Sequence, residues 1–228
     1  MLVLDAGDAL VRDRTPATET KGRTSIELMN LLGYDAMALG EGDLERLGVD
    51  TVLQRIQEAK FPVLSANVYF TGTDQLVTQP YAIREFGGHQ VAIIGLTGQA
   101  TLPDVEIRDP VETALQVTQQ IGDRADILIL LSHAGLALNH QIADLVPDLD
   151  LIISGGTGFT GTPESSATGT VIVHADASSP AHAGRRVGVG EWSLGSRGKP
   201  ITKQWETIQL NTDVPNDPEM DAWAQEHQ

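Results

Sequence analysis

The sequence predicts an α/β fold in which two stacked mixed β-sheets are flanked by helices. Short apolar segments alternate with amphipathic segments of helical period along the first two-thirds of the chain. The connections between them are short, which favours helices packed directly on sheets. The predicted core strands are residues 2–5, 36–39, 62–66, 91–96, 127–131 and 151–153.

Helices are predicted from capping residues and from apolar spacing. Thr24 or Ser25 can cap a helix that runs to about residue 32, with Ile26, Met29 and Leu32 on one face. Asp43 can cap the next helix. The apolar face of that helix consists of Leu47, Val52, Leu53 and Ile56. Later helices are predicted over residues 111–121 and 138–146.

Turn residues organise the rest of the chain. Segments 81–86 and 90–96 flank Gly87-Gly88, which predicts a hairpin. Glycine, serine, threonine and proline dominate residues 155–170, which predicts a long loop. Strands follow at 170–174, 186–194 and 201–210. We therefore expect one domain over residues 1–210 and a tail over 211–228 with a short helix near residues 220–225.

Composition limits the classes of function. The formal net charge is −16 over 228 residues, with a pI near 4.5, which argues against a nucleic-acid partner. No cysteine is present, so disulfides and thiolate sites are excluded. No apolar run could insert into a membrane, and no signal segment opens the chain. The compartment stays open.

Three segments place polar side chains directly after predicted strands. They are Leu-Val-Leu-Asp-Ala-Gly-Asp at residues 2–8, Leu-Gly-Glu-Gly-Asp at 39–43 and Leu-Ser-His-Ala-Gly at 131–135. A fourth segment, Ile-Ser-Gly-Gly-Thr-Gly at 153–158, is glycine-rich and contains no histidine. Loops at the ends of a rigid sheet are the usual place for binding and catalytic groups.

In this order and spacing, the segments resemble the calcineurin-like metallophosphoesterases, specifically the catalytic domain of bacterial 5′-nucleotidases and UDP-sugar hydrolases. The likeness covers roughly residues 2–210. It implies a four-layer fold of two sheets flanked by helices, and two divalent metals that activate a water molecule for phosphoester hydrolysis. Such families are often extracytoplasmic; a native start at Met1 would instead indicate a cytoplasmic protein.

The resemblance carries the family's metal ligands over only in part. Asp8 matches the bridging aspartate and His133 the histidine of the Ser-His-x-Gly motif. Glu41 and Gly42 stand where the Gly-Asn-His-Glu motif has its asparagine and its catalytic histidine. Residues 156–158 match a Gly-His-x-His motif without its histidines. The opening Asp-x-His strand and the C-terminal nucleotide-recognition domain have no counterpart in these residues.

Counting ligands leaves one metal site. Asp8, Glu41 and His133 form a set of two carboxylates and one imidazole, which suits a single Mn²⁺, Fe²⁺ or Zn²⁺ ion. Mg²⁺ would be held weakly by so few protein ligands. His174 and His182 could each replace a lost ligand. Structural interpretations stay open beside this one: a turn role for Asp8, a solvated Glu41 and a hydrogen-bonded His133.

Three hypotheses about function follow. The first is a degenerate 5′-nucleotidase-like protein without two-metal phosphoesterase activity that acts as a binding or structural subunit. The alternative is a metal-dependent nucleotide hydrolase with a remodelled one-metal site. The third is a subunit of a larger assembly, in which a protein partner supplies a missing edge strand. A small phosphorylated ligand is compatible with all three. The resemblance implies a phosphoester hydrolase, and the missing metal ligands and catalytic histidine argue against that activity.

Overall fold

A computed structural model describes residues 1–11, 15–175, 185–194 and 200–227. The strands are β1 (Leu4–Asp5), β2 (Ala36–Ala38), β3 (Val63–Leu64), β4 (Val68–Phe70), β5 (Tyr81–Phe86), β6 (His89–Leu96), β7 (Val105–Ile107), β8 (Ile127–Ser132), β9 (Leu151–Ser154), β10 (Glu164–Ser165), β11 (Val171–Val173), β12 (Arg186–Leu194) and β13 (Pro200–Gln209). The α-helices are α1 (Arg23–Leu31), α2 (Glu41–Leu47), α3 (Val49–Glu58), α4 (Pro110–Ile121), α5 (Leu136–Leu145) and α6 (Pro218–Glu226). A 3₁₀ turn, Gly122–Arg124, follows α4.

Two sheets carry the fold. A small parallel sheet has the order β1-β2-β3, and a six-stranded mixed sheet has the order β10-β11-β9-β8-β6-β5. Strands β6, β8, β9 and β11 run parallel, and the two edge strands are antiparallel to their neighbours. Because parallel neighbours need crossover connections, α4 lies between β6 and β8 in the sequence and α5 between β8 and β9, whereas the connection from β9 to β11 contains β10 and no helix.

Three apolar clusters hold the four layers together. The first lies between the large sheet and α4 and α5, the second between the small sheet and α1 and α3, and the third between the two sheets. Strand alternation explains the division: Ile93 joins the central cluster, and its neighbours Ala92 and Ile94 join the helical one. The predicted class of two stacked sheets flanked by helices is confirmed.

Close contact between the sheets depends on Gly95. An added Cβ atom there would lie 2.3 Å from the carbonyl oxygen of Leu64 in β3. The hydrogen bond from the Ala66 amide to the Gly95 carbonyl is 2.9 Å long and also joins the two sheets. The ends of β2, β3 and β6 therefore meet near the loops that form the candidate site.

The β5–β6 hairpin forms as predicted. Gly87 and Gly88 have φ angles of 59° and 82°, which suit a two-residue primed turn. The predicted strands over 186–194 and 201–210 pair as an antiparallel ribbon. α6 is capped by Asp217, whose carboxylate accepts from the Glu219 and Met220 amides.

Several predicted details are wrong. Asp43 is not the N-cap residue: α2 begins after Gly40, and Asp43, its third residue, accepts from the Gly40 amide. A single helix through residue 56 was expected, but the chain breaks into α2 and α3 at Gly48, which has a φ of 73°. The short pair β4–β7 was not predicted, because each strand has three residues and little alternation.

The first helix also differs from the prediction at both ends. Its cap is Gly22, with a φ of 80°, and the Ser25 hydroxyl instead donates to the Leu10 carbonyl. Thr24 is buried in α1 beside Thr20. Leu32 lies past the helix end and is 46% exposed, so it does not join the core.

Across the described ranges, no helix combines the length and the apolar character that crossing a bilayer requires.

Candidate metal centre

Three predicted ligands converge at one end of the sheets. Asp8 follows β1, Glu41 opens α2 just after β2, and His133 follows β8. One donor atom from each residue lies within 4.8 Å of the other two. The predicted convergence is confirmed, and it joins the ends of strands from both sheets.

Local backbone geometry turns Asp8 toward α2. Gly7 and Asp8 have φ angles of 110° and 59°, which bend the chain sharply after β1. Aspartate tolerates this left-handed conformation better than most residues. The Asp43 amide donates to Asp8 Oδ1 over 3.1 Å, which fixes one carboxylate oxygen. Asp8 Oδ2 is left facing the ring of His133.

His133 lies between the two carboxylates. Its Nδ1 is 2.7 Å from Glu41 Oε2, and its Nε2 is 3.7 Å from Asp8 Oδ2. Its backbone amide donates to the Leu96 carbonyl, which anchors the residue to β6. Glu41 Oε2 also accepts from the Gly98 amide over 3.1 Å. Each ring nitrogen therefore has its own acidic neighbour.

The two partners shift one another's pKa. Burial alone would lower the pKa of His133, but the Glu41 hydrogen bond and the charge of Asp8 outweigh it, so the pKa is raised. Burial would raise the pKa of Glu41, but the His133 hydrogen bond and charge outweigh it, so that pKa is lowered. Both shifts favour an imidazolium–carboxylate pair when no metal is bound.

Asp43 is fully buried beneath this pair. Burial and the charge of Asp8 raise its pKa from 3.8 to about 7, although backbone hydrogen bonds oppose the shift. The carboxylate accepts from the Leu10 amide over 3.0 Å and from the Gly40 amide over 3.4 Å. It therefore links the loop after β1 to the start of α2. The local preference of aspartate for helix caps does not predict this contact between distant residues.

Glycines allow the donors to approach one another. A Cβ at Gly42 would lie 2.4 Å from Asp8 Oδ2, so a larger residue would displace that carboxylate. A Cβ at Gly155 would lie 2.9 Å from the His133 ring. The glycine-rich loop after β9 thus closes against His133, where the family motif placed it, and it brings no imidazole there.

The other histidines have different neighbours. His140 Nε2 lies 3.0 Å from Glu164 Oε2. His174 packs edge-on against Phe159, with ring centroids 5.4 Å apart. Neither belongs to the three-donor group identified within the described part of the chain. His182, the other proposed replacement ligand, lies outside the described residues.

The donor set fits one divalent cation. His133 can coordinate through Nε2, which already faces Asp8, while Glu41 holds the other ring nitrogen. A ligating histidine commonly donates its second ring N–H to a carboxylate, which fixes the tautomer and the ring orientation. Two carboxylates and an imidazole suit Mn²⁺, Fe²⁺ or Zn²⁺. The exposure of the Asp8 and Glu41 side chains, 15% and 27%, leaves an approach from solvent.

Comparison with known proteins identifies the relatives. No family model matches the sequence. The chain is 30% identical to human 5′-nucleotidase over 249 residues, covering 97% of this chain and 43% of that protein. It is 34% identical to protein UshA of Yersinia enterocolitica over 146 residues, covering 59% of this chain and 26% of that protein.

A solved structure has the same fold. The 5′-nucleotidase precursor of Thermus thermophilus superposes with a TM-score of 0.83 at 25% identity, covering 99% of this chain and 49% of that one. The chain thus spans less than half the length of these relatives. The similarity to human 5′-nucleotidase over 97% of this chain, together with the shared fold, places this protein in the calcineurin-like metallophosphoesterase superfamily, alongside the 5′-nucleotidases.

Proposed function

We propose that the protein binds one divalent cation between Asp8 and His133, with Glu41 as the partner of the imidazole beside the ion, and holds a small phosphorylated molecule there, with two-metal phosphoester hydrolysis weak or absent. The convergence of three donors from three separate elements is the observation that carries this proposal. A metal in this position would act as a Lewis acid on a phosphoryl oxygen.

Each residue has a distinct task. Asp8 and His133 offer the facing donor atoms Oδ2 and Nε2. Glu41 orients the imidazole through Nδ1 and adds negative charge beside the ion. The buried carboxylate of Asp43 holds the Gly40 and Leu10 amides, and its own amide positions Asp8. The residues are thus preorganised before a cation arrives.

Weak hydrolysis is expected from what surrounds the ion. A two-metal site stabilises both the attacking and the leaving oxygen. Gly42 has no side chain to donate a proton to a leaving group. Gly156 and Thr157 offer no imidazole in the loop beside His133. Loss of general acid catalysis alone typically lowers a rate by about 10²–10⁴-fold.

Metal content and turnover test the proposal together. The protein is purified without chelators, its bound metal is counted, and hydrolysis of AMP and of an aryl phosphate is measured with added Mn²⁺. We expect one ion per chain and little turnover. Asp8→Asn and His133→Asn should lose the ion, and the control His140→Asn should keep it.

Two results would contradict the proposal in different ways. Metal-free protein that takes up no Mn²⁺ would remove the metal site and leave a purely structural or protein-binding role. Rapid hydrolysis that Asp8→Asn and His133→Asn both abolish would instead indicate a remodelled one-metal hydrolase.

A further inference from the structure

The geometry points to a further ligand-binding residue: we propose that the guanidinium of Arg46 binds the oxyanion of a phosphorylated ligand beside Asp8. The inference rests on the proposed metal site and adds a second positive group to it. The ligand class is a phosphoryl group or another tetrahedral oxyanion that accepts two parallel hydrogen bonds.

Arg46 reaches the site because of helix geometry. It lies four residues after Gly42, so both residues are on the same face of α2. Helical side chains lean toward the N-terminus and cover the preceding turn. Arg46 accordingly extends back over Gly42: its Nη1 lies 2.8 Å from the position that a Cβ at Gly42 would take.

The same point in space is next to Asp8. Asp8 Oδ2 lies 2.4 Å from that Cβ position, on the carboxylate that faces His133. The missing side chain of Gly42 therefore opens the space in which Arg46 approaches the candidate ligands. A side chain at residue 42 would occupy part of this space, so the guanidinium could approach Asp8 less closely.

The guanidinium is also not committed elsewhere. Arg46 is exposed and, within the described residues, forms no hydrogen bond or ion pair. Three other arginines have structural partners: Arg55 pairs with Glu58, Arg108 with Asp74, and Arg124 with Tyr81. The donors of Arg46 can therefore serve a bound molecule without breaking an existing contact.

The charges around the site indicate that a phosphoryl ligand needs a positive group besides the metal ion. The chain carries a net charge of −16, and Asp8 and Glu41 together neutralise a divalent ion. A phosphoryl dianion would then meet an acidic surface and no net local positive charge. Arg46 supplies the missing positive charge, and its planar fork matches two phosphoryl oxygens.

Inorganic phosphate is the probe for this role. Calorimetry measures phosphate binding to the wild type, Arg46→Gln and Arg46→Lys, with and without saturating Mn²⁺. The control is Arg84→Gln, which replaces an exposed arginine on β5. Arg46→Gln loses a charged hydrogen-bond donor, so its affinity for phosphate should be about tenfold lower or more. Arg46→Lys should be intermediate, because it keeps the charge but not the fork. Arg84→Gln should match the wild type.

Metal content, measured on the same samples, separates this inference from the proposed function. Arg46→Gln should keep its ion, because Arg46 supplies no ligand atom. Wild type that binds no metal but still binds phosphate through Arg46 would refute the metal site and leave the arginine's role intact. Equal phosphate affinity in wild type and Arg46→Gln, or no phosphate binding by the wild type in either condition, would refute the role of Arg46.

Discussion

Replacing Asp43 by asparagine should remove a pH dependence of stability from the metal-free protein. The pKa of Asp43 in the folded state is about 7, against an ordinary value of 3.8, because the carboxyl group is buried beside Asp8. A folded-state pKa above the unfolded value means that the folded protein keeps a proton which the unfolded chain has released. The contribution of Asp43 to the free energy of unfolding is therefore fully present below pH 3.8 and is lost as the pH rises through about 7.

The structure sets the size of the effect. Each unit between the folded and unfolded pKa corresponds to about 1.4 kcal/mol, so the difference sets a ceiling of about 4 kcal/mol. Structural relaxation around a buried charge makes the actual change smaller than this ceiling. We expect the free energy of unfolding of the wild type to fall by about 2–4 kcal/mol between about pH 4 and pH 8. The asparagine side chain in Asp43→Asn would keep an acceptor for the Leu10 amide and would sacrifice only the longer contact with Gly40.

Urea unfolding in EDTA at pH 5 and pH 8 measures this effect. Asp43→Asn should be within about 1 kcal/mol of the wild type at pH 5 and more stable than it at pH 8. Asp104→Asn, a change at an exposed aspartate, is the control and should follow the wild type at both pH values. Identical pH dependence in the wild type and Asp43→Asn would refute the assignment of a buried, protonated carboxyl group.

Two further substitutions test the sheet contact and the orientation of the imidazole. Gly95→Ala should lower the free energy of unfolding by at least about 2 kcal/mol, since the new Cβ would overlap a backbone oxygen of β3; the urea midpoint measures the loss. Glu41→Gln should weaken Mn²⁺ binding about 10–100-fold in a calorimetric titration, because the charged partner of the His133 ring is lost.

Matched controls make these two results decisive. Gly161→Ala adds a Cβ that meets only Phe159, at 3.8 Å, and should leave the urea midpoint unchanged. A stable Gly95→Ala protein would mean that the two sheets are farther apart than described. Glu164→Gln, which removes a carboxylate from the His140 pair, should not alter Mn²⁺ affinity. Unchanged affinity in Glu41→Gln would remove Glu41 from the site.

Sequence patterns predicted the parts of this structure that periodicity and strand ends determine. The strands before Asp8, Glu41 and His133 were placed from apolar runs, and their ends do meet. Asp8 and Glu41 follow neighbouring parallel strands of one sheet, which bring their ends to one edge, whereas His133 follows a strand of the other sheet, so local patterns alone did not place it beside them. The resemblance to a known family supplied the reason to examine those three residues together.

Contacts between distant residues were not predictable in this way. Asp43 has a strong local preference for a helix cap, but its carboxylate bonds to Leu10, 33 residues away. By sequence pattern alone, Arg46 is a solvated helix residue. Its approach to Asp8 depends on the absence of a side chain at Gly42, which the pattern does not indicate. The helix breaks at Gly48, which has a φ of 73°. The apolar spacing continues past this residue, so the spacing alone predicted one unbroken helix.

The central claim is that one cation is held between Asp8 and His133. Anomalous diffraction at the manganese edge, from crystals grown with Mn²⁺, tests it most directly. We predict a single peak at this end of the sheets, within bonding distance of both Asp8 Oδ2 and His133 Nε2. No peak at that position, or two peaks a few ångströms apart, would contradict the account.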